Sequence, residues 1–266
     1  MYKWQPAKQM KKLTNMMQKY SEESDIDLMM FPEQAMTAGT FRNTEEAKSM
    51  AQQQGQGSIF EWAQQVSLKY KCIVAYGYVE YDPNDYNCYN SMCVVSEKGE
   101  VIKNYRKHQL YPTETWAIAG PSFDYADIYF WRIDRTIRCG LAICMDIWFT
   151  EEQKYEGMEF AKFQRDNQSQ LILGISGWYD FGGYDDDDIK AEIQKSYWLN
   201  RLTHLIHDKS YNQNRYFIWC NRVGKGYGTF KKFVGLSGIF LLQPKLTHLR
   251  NLSTVEEGIL EQVIQL

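Results

Sequence analysis

The sequence predicts a layered α/β domain built on a mixed sheet, and three observations carry that prediction. Short apolar runs alternate with amphipathic helical stretches through the first two thirds of the chain. Two strand-like runs on either side of Gly99 read as an antiparallel hairpin, and further strand-like runs follow in the last third. Composition is that of a globular protein: of 266 residues, 44% are hydrophobic and 24% charged, enough to close a sizeable core. No stretch has the composition of an internal linker, so residues 1–266 are read as one domain.

Each element has a local reason. Trp4, Ala7, Met10, Leu13, Met17 and Tyr20 recur at three- and four-residue steps around Pro6, which gives one apolar helical stripe with proline in the first turn. Residues 27–31 read as a short buried strand stopped by Pro32. Thr44 opens a helix expected to end by Gly55. Ser58 with Glu61 forms a capping-box pattern for a helix running to about Tyr70. Residues 72–79, 89–96, 100–106, 137–145, 171–175, 216–221 and 236–243 read as strands. An acidic helical segment beginning near Thr150 and a long helix over residues 189–209 complete the set, leaving residues 246–266 as a tail.

Several function classes are excluded. A net charge of −3 and 19 scattered tyrosines without basic interleaving argue against a nucleic-acid partner. No apolar run approaches the ~18–20 residues that span a bilayer, so no membrane partner is expected. The six cysteines contain no CxxC pair, which argues against a zinc ribbon or thioredoxin-type site, and without a signal-peptide pattern the thiols are expected to be reduced, in a reducing compartment. A cytoplasmic location is expected, with a mitochondrial presequence at the lysine-bearing start as the alternative. His204 and His207 lack a third ligand, Asp185–Asp188 lacks an alternating calcium pattern, and Gly224-Lys225-Gly226-Tyr227-Gly228 is not a phosphate loop. No metal and no cofactor are expected.

Three polar residues follow apolar strands. Cys144 ends the run 137–145, Glu33 follows Pro32, and Lys107 follows the hairpin. Strand ends are where open α/β sheets place ligands, and a thiol needs a base and a local positive charge to attack a carbonyl. Spacing alone does not decide between one shared pocket and a core cysteine with two solvated loop charges.

The segments Phe31-Pro32-Glu33-Gln34-Ala35, Asn104-Tyr105-Arg106-Lys107 and Ala142-Ile143-Cys144-Met145-Asp146 resemble, in order, the three signature segments of the carbon–nitrogen hydrolase (nitrilase) superfamily. Tyr89-Asn90-Ser91, Asn221-Arg222-Val223-Gly224 and Gly235-Leu236-Ser237-Gly238-Ile239 resemble its other strand segments, so the likeness covers roughly residues 5–245. The stretch Tyr105-Arg106-Lys107-His108-Gln109-Leu110-Tyr111-Pro112-Thr113-Glu114 is most similar to the N-terminal amidases, which deamidate N-terminal asparagine and glutamine.

The resemblance implies a four-layer αββα sandwich and a metal-free amide hydrolysis through a thioester. It assigns Cys144 as nucleophile, Glu33 as general base, Lys107 as oxyanion-stabilising cation and Glu114 as the second glutamate of the pocket. The Met145 N–H would complete the oxyanion hole, and Trp178 would line the substrate pocket. The substrate is then a peptide or protein N-terminus, or a small amide, and the assembly a homodimer or part of a larger complex. One departure is expected: the first long helix begins almost at Met1, so the family's usual first strand is missing. A small-molecule ω-amidase or carbamoylase, and a catalytically idle structural subunit, are the rival readings.

Overall fold

The computed structural model describes residues 5–37, 41–148, 157–183, 186–226 and 231–266. Trp4, the predicted helix start near Thr150, Asp185, and Tyr227 with Gly228 lie outside the described residues. The chain divides into two compact units, one from Met1–Pro121 with Lys225–Phe230 and the other from Ser122–Gly224 with Lys231–Leu266.

The first unit holds α1 (Pro6–Met16), β1 (Leu28–Met30), α2 (Thr44–Lys48), α3 (Ser58–Tyr70), β2 (Ile73–Asp82), β3 (Asn87–Val95) and β4 (Val101–Arg106). Its sheet runs in the order β1-β2-β3-β4. β1 lies parallel to β2, while β2–β3 and β3–β4 are antiparallel. Gly99 turns the β3–β4 hairpin at φ +78°, a conformation glycine adopts without a Cβ clash. Among the described residues β1 is the outer strand of this sheet, and no strand precedes α1. Trp62 of α3 donates to the Thr14 hydroxyl of α1 at 2.9 Å, and the Tyr70 hydroxyl donates to the Met17 carbonyl at 3.1 Å.

Two helix predictions in this unit need correction. α2 stops at Lys48, well short of Gly55, because the Ser49 hydroxyl takes the Glu46 carbonyl at 2.7 Å. The chain then joins the sheet: Gln52 N–H donates to the Val79 carbonyl, and Tyr81 N–H to that of Gln52. α3 has the predicted bounds but no capping box, since Gly57 is its N-cap and Ser58 its first residue. The cap comes from outside, with Ile59 N–H donating to the Gln52 amide oxygen at 2.9 Å.

The second unit holds β5 (Asp124–Phe130), β6 (Arg135–Ile143), a 3₁₀ turn (Cys144–Ile147), α4 (Glu159–Asp166), β7 (Leu171–Ser176), α5 (Asp187–Asn200), α6 (Thr203–Ile206) and β8 (Arg215–Asn221). Two short strands, β9 (Val223–Lys225) and β10 (Lys232–Val234), precede β11 (Gly238–Gln243) and β12 (Thr247–Asn251). Six strands form one sheet in the order β12-β11-β8-β7-β6-β5. β6, β7 and β8 are its parallel centre. All six residues of β7 are buried, which fits its unbroken apolar run. β5, β9, β10 and β12 are additions to the predicted set, and β12 gives the tail a strand paired with β11. The predicted long helix is two: the Thr203 hydroxyl takes the Asn200 carbonyl at 2.8 Å and ends α5 there.

Candidate active site

In the first unit, the strands deliver four polar side chains to one buried cluster. The last bond of β1 into the sheet is Phe31 N–H to the Ala75 carbonyl at 2.8 Å, and Pro32 follows. Glu33 comes next, and Gln34 at φ 49° turns the chain away. The hairpin pairs Ser91 with Arg106, and the ladder continues one step as Lys107 N–H donates to the Asn90 carbonyl at 2.8 Å. Asn90 and Lys107 are therefore direct cross-strand neighbours, with their side chains on one face. Glu114 arrives on a loop folded back over β3: Tyr111 N–H donates to its Oε2 at 2.7 Å, and Ile118 N–H to the Cys88 carbonyl at 2.9 Å.

The side chains then close on one another. Lys107 Nζ donates to Glu33 Oε1 at 2.9 Å and to Glu114 Oε2 at 2.7 Å. Asn90 Nδ2 donates to Glu33 Oε1 and to Glu114 Oε1, both at 2.6 Å. Lys107 is 1% exposed and Glu33 6%, so this is an ammonium held in the interior by two carboxylates. The loop passes so near the strand that a Cβ on Gly120 would lie 2.2 Å from the Arg106 carbonyl oxygen. That closeness lets Gly120 N–H donate to the Lys107 carbonyl at 2.8 Å and pin the lysine's backbone.

A second polar network, not foreseen from the sequence, occupies the opposite face of the same sheet. Glu80 accepts from the Ser91 hydroxyl at 2.6 Å, from Asn104 at 2.7 Å and from Arg106 Nε at 3.1 Å. The Arg106 guanidinium lies 3.8 Å from the Tyr89 ring centroid. Alternation along β4 thus sends neighbouring cations, Arg106 and Lys107, into separate carboxylate clusters.

In the second unit, β6 ends at Ile143, two residues before the predicted strand end. Cys144 and Met145 instead open the 3₁₀ turn. The buried Cys144 sits at φ 48°, a left-handed conformation that costs a side-chain-bearing residue about 1–2 kcal/mol. The turn is held by Ile143 N–H donating to Asp146 Oδ2, and by Trp148 N–H donating to the Met145 carbonyl, both at 2.8 Å. Ile143 pairs with Ile175, and Ser176 with Asn221, so Cys144 stands at the C-terminal edge of β6, β7 and β8. Strain of this kind clusters at functional positions.

Trp178 lies just beyond the same edge. Its N–H donates to Asn221 Oδ1 at 2.8 Å, and Asn221 in turn donates to the Gly235 carbonyl at 2.7 Å. The buried Trp178 ring packs within 6.3 Å, centroid to centroid, of Trp148, Tyr197, Trp198 and Trp219. The Arg201 guanidinium lies over Tyr197 at 4.1 Å and over Trp148 at 5.1 Å. Elsewhere, burial pushes the Cys93 and Cys220 thiols up to about 12, and it raises Cys88 and Cys139 as well. Those thiols stay protonated, and hence poorly nucleophilic, at neutral pH.

The structure thus gathers Glu33, Lys107 and Glu114 in the first unit, and sets Cys144, Met145 and Trp178 about one sheet edge in the second. Asn90 is the member that sequence reasoning missed as a site residue. A regular hairpin about Gly99 would set Asn90 opposite Arg106, and the bulge between Val94 and Val95 shifts the register by one and brings it opposite Lys107.

The fold is the mixed α/β fold of solved N-terminal amidase structures, with sheets and helices consistent with an αββα sandwich. The complex of N-terminal amidase with an Asn-Glu-Ala peptide matches with a TM-score of 0.78 and 20% identity, over 97% of this chain and 93% of that one. The chain belongs to the carbon–nitrogen hydrolase family, whose model matches residues 1–266. Over 235 residues it is 28% identical to the protein N-terminal amidase of Schizosaccharomyces pombe, covering 80% of this chain and 79% of that protein. Over 167 residues it is 31% identical to the protein N-terminal amidase of Saccharomyces cerevisiae, covering 57% of this chain but 36% of that protein. The match therefore spans about a third of the budding-yeast relative's length.

Proposed function

We propose that the protein hydrolyses a carboxamide C–N bond, removing ammonia from N-terminal asparagine or glutamine of peptides and proteins. The observation that carries this reading is the buried Glu33–Lys107–Glu114 cluster, an ammonium held at 2.9 and 2.7 Å between two carboxylates. Such a cation, kept in a dry site, is suited to stabilising a developing oxyanion.

In this reading Cys144 attacks the amide carbon, forming the S–C bond, while its proton passes to Glu33. The tetrahedral oxyanion is met by Lys107 and the Met145 N–H. The C–N bond then breaks, and ammonia leaves with the proton returned by Glu33. Water attacks the thioester, giving its proton to Glu33, and the S–C bond breaks to release the acid and restore the thiol. Glu114 orients Lys107, and Trp178 borders the substrate. No step calls for a metal or cofactor. That the two units act as one domain, in a cytoplasmic homodimer or as a subunit of a larger assembly, belongs to the same proposal.

Mass spectrometry of short peptides beginning with Asn or Gln tests the reading. The wild-type chain should convert the first amide to the acid, and Cys144→Ala should not, while internal-Asn peptides stay unchanged. Undiminished turnover by Cys144→Ala would exclude the mechanism. Conversion of small amides but not peptides would transfer the site to the ω-amidase reading.

A further inference from the structure

The geometry points to Asn90 as the positioning residue that keeps Glu33 and Glu114 both ionised and both turned toward Lys107. Two carboxylates gathered in one buried site repel, and one of them ordinarily takes up a proton. A single ammonium offsets only one of the two charges. Tyr111 N–H donates to Glu114 Oε2 at 2.7 Å, and among the described residues of this cluster the one group besides Lys107 that reaches both carboxylates is the Asn90 amide, whose two N–H groups donate once to each at 2.6 Å. The reversed amide would aim its oxygen at both carboxylates, so the assignment of Nδ2 follows from the charges around it. Asn90 is fully buried, and its Oδ1 has no hydrogen-bond partner among the described residues. A buried acceptor is left unsatisfied while both donors are spent on the two glutamates.

The backbone makes the clamp rigid. Asn90 is in register with Val79 on one side and receives the Lys107 N–H on the other, so the cation and the clamp are fixed to one ladder. Within this unit, the charged groups that face Asn90 are Glu33 from the turn after β1, Lys107 from the end of β4 and Glu114 from the following loop. Glu80 and Asp82 both pair with Arg106 on the opposite face. Without the amide, the glutamate pair shares a proton at higher pH. The kinetic consequence rests on the reading of Glu33 as general base, because a base that has taken up a proton cannot accept one from the thiol.

Carboxyl ¹³C NMR of glutamate-labelled protein measures this without needing turnover, with Glu33→Gln and Glu114→Gln assigning the two signals. Asn90→Ala should raise the pH at which the glutamate pair takes up its first proton. Asn90→Ser, which keeps one donor, should give a smaller rise. The isosteric Asn90→Asp should hold one proton within the cluster at neutral pH, and it serves where the alanine variant fails to fold. Titrations identical to wild type in a folded variant would overturn the inference. The acid limb of kcat/KM on an N-terminal Asn peptide, followed in the same variants, should move up with the NMR midpoint. An NMR shift that leaves the limb in place would uphold the role of Asn90 and remove Glu33 as base.

Discussion

The two units hold their functional side chains by opposite means. In the first, Glu33, Asn90, Lys107 and Glu114 come from four separate stretches of chain and are held by one another, through charge and hydrogen bonds. In the second, Cys144 to Trp148 form one short run, and a backbone turn with an unfavourable φ sets the geometry. An ion cluster is as stable as its complement of partners, whereas a strained turn persists because its surroundings outweigh it. Removing a side chain should therefore damage the first unit, and relieving backbone strain should stabilise the second.

The largest effect is expected at Lys107. Lys107→Met is close in length but leaves two buried carboxylates facing each other without a cation. Its cost should be about 3–5 kcal/mol in urea unfolding, with a fall of about 10²–10³ in the proposed turnover. Stability equal to wild type would mean that the cluster is wet and solvent-screened. Next comes Gly120→Ala, where the added Cβ meets the Arg106 carbonyl oxygen at 2.2 Å. Backbone cannot yield as a side-chain tip does, so the expected cost is about 2–3 kcal/mol. Turnover should fall as well, because the displaced strand carries Lys107; a folded, fully active variant would show the loop contact to be dispensable.

A third prediction asks whether every buried ion pair behaves like the first unit's cluster. In the second unit, the fully buried Arg215 meets Asp208 Oδ2 at 3.2 Å, and also the Ser169 and Leu205 carbonyls at 2.9 and 3.1 Å. Burial opposes ionisation of Asp208, but the Ser210 hydroxyl and N–H together with Arg215 outweigh it and hold the carboxyl below its ordinary range. A lowered folded-state value means stability that is present above the unfolded value of about 3.9 and is lost as pH falls through the folded one. Asp208→Asn should cost about 1.5 kcal/mol at pH 7, and the gap between variant and wild type should close below about pH 4. Turnover should be unchanged. A gap that persists in acid would make packing, not charge, the source.

How much of this the sequence announces depends on whether the deciding contact is local. α3, the β3–β4 hairpin and the central strands show in the periodicity of their own residues, since a buried face imposes its spacing directly. β5 and β12 do not, because Asp124, Asp127, His248 and Arg250 interrupt outer strands that need only one apolar side. The ends of α2 and α5 are set by the Ser49 and Thr203 hydroxyls taking backbone carbonyls, a competition that periodicity does not register. Glu33, Lys107 and Cys144 stand out as polar residues after apolar runs, though their chemistry entered by resemblance to a family. Asn90 reads as one more strand residue until the hairpin register puts it beside Lys107.

The smallest effect is the sharpest test of the contrast. At an ordinary position glycine is less stable than alanine by about 0.5–1 kcal/mol, because it loses more chain entropy on folding. At φ 48° the order should invert, since a left-handed residue bearing a Cβ costs about 1–2 kcal/mol and glycine escapes that cost. Cys144→Gly and Cys144→Ala both remove the sulfur and both leave a small void, so the difference between them isolates the backbone. Cys144→Gly should be the more stable of the two by about 0.5–1 kcal/mol, read as a higher urea midpoint at unchanged slope. If alanine is equal or better, the turn is not strained and the cysteine is held as passively as any core residue. If glycine wins, the second unit carries that conformational cost on its proposed nucleophile, whereas beside the first unit's ion cluster the left-handed residue is Gln34, a neighbour of Glu33 outside the cluster itself.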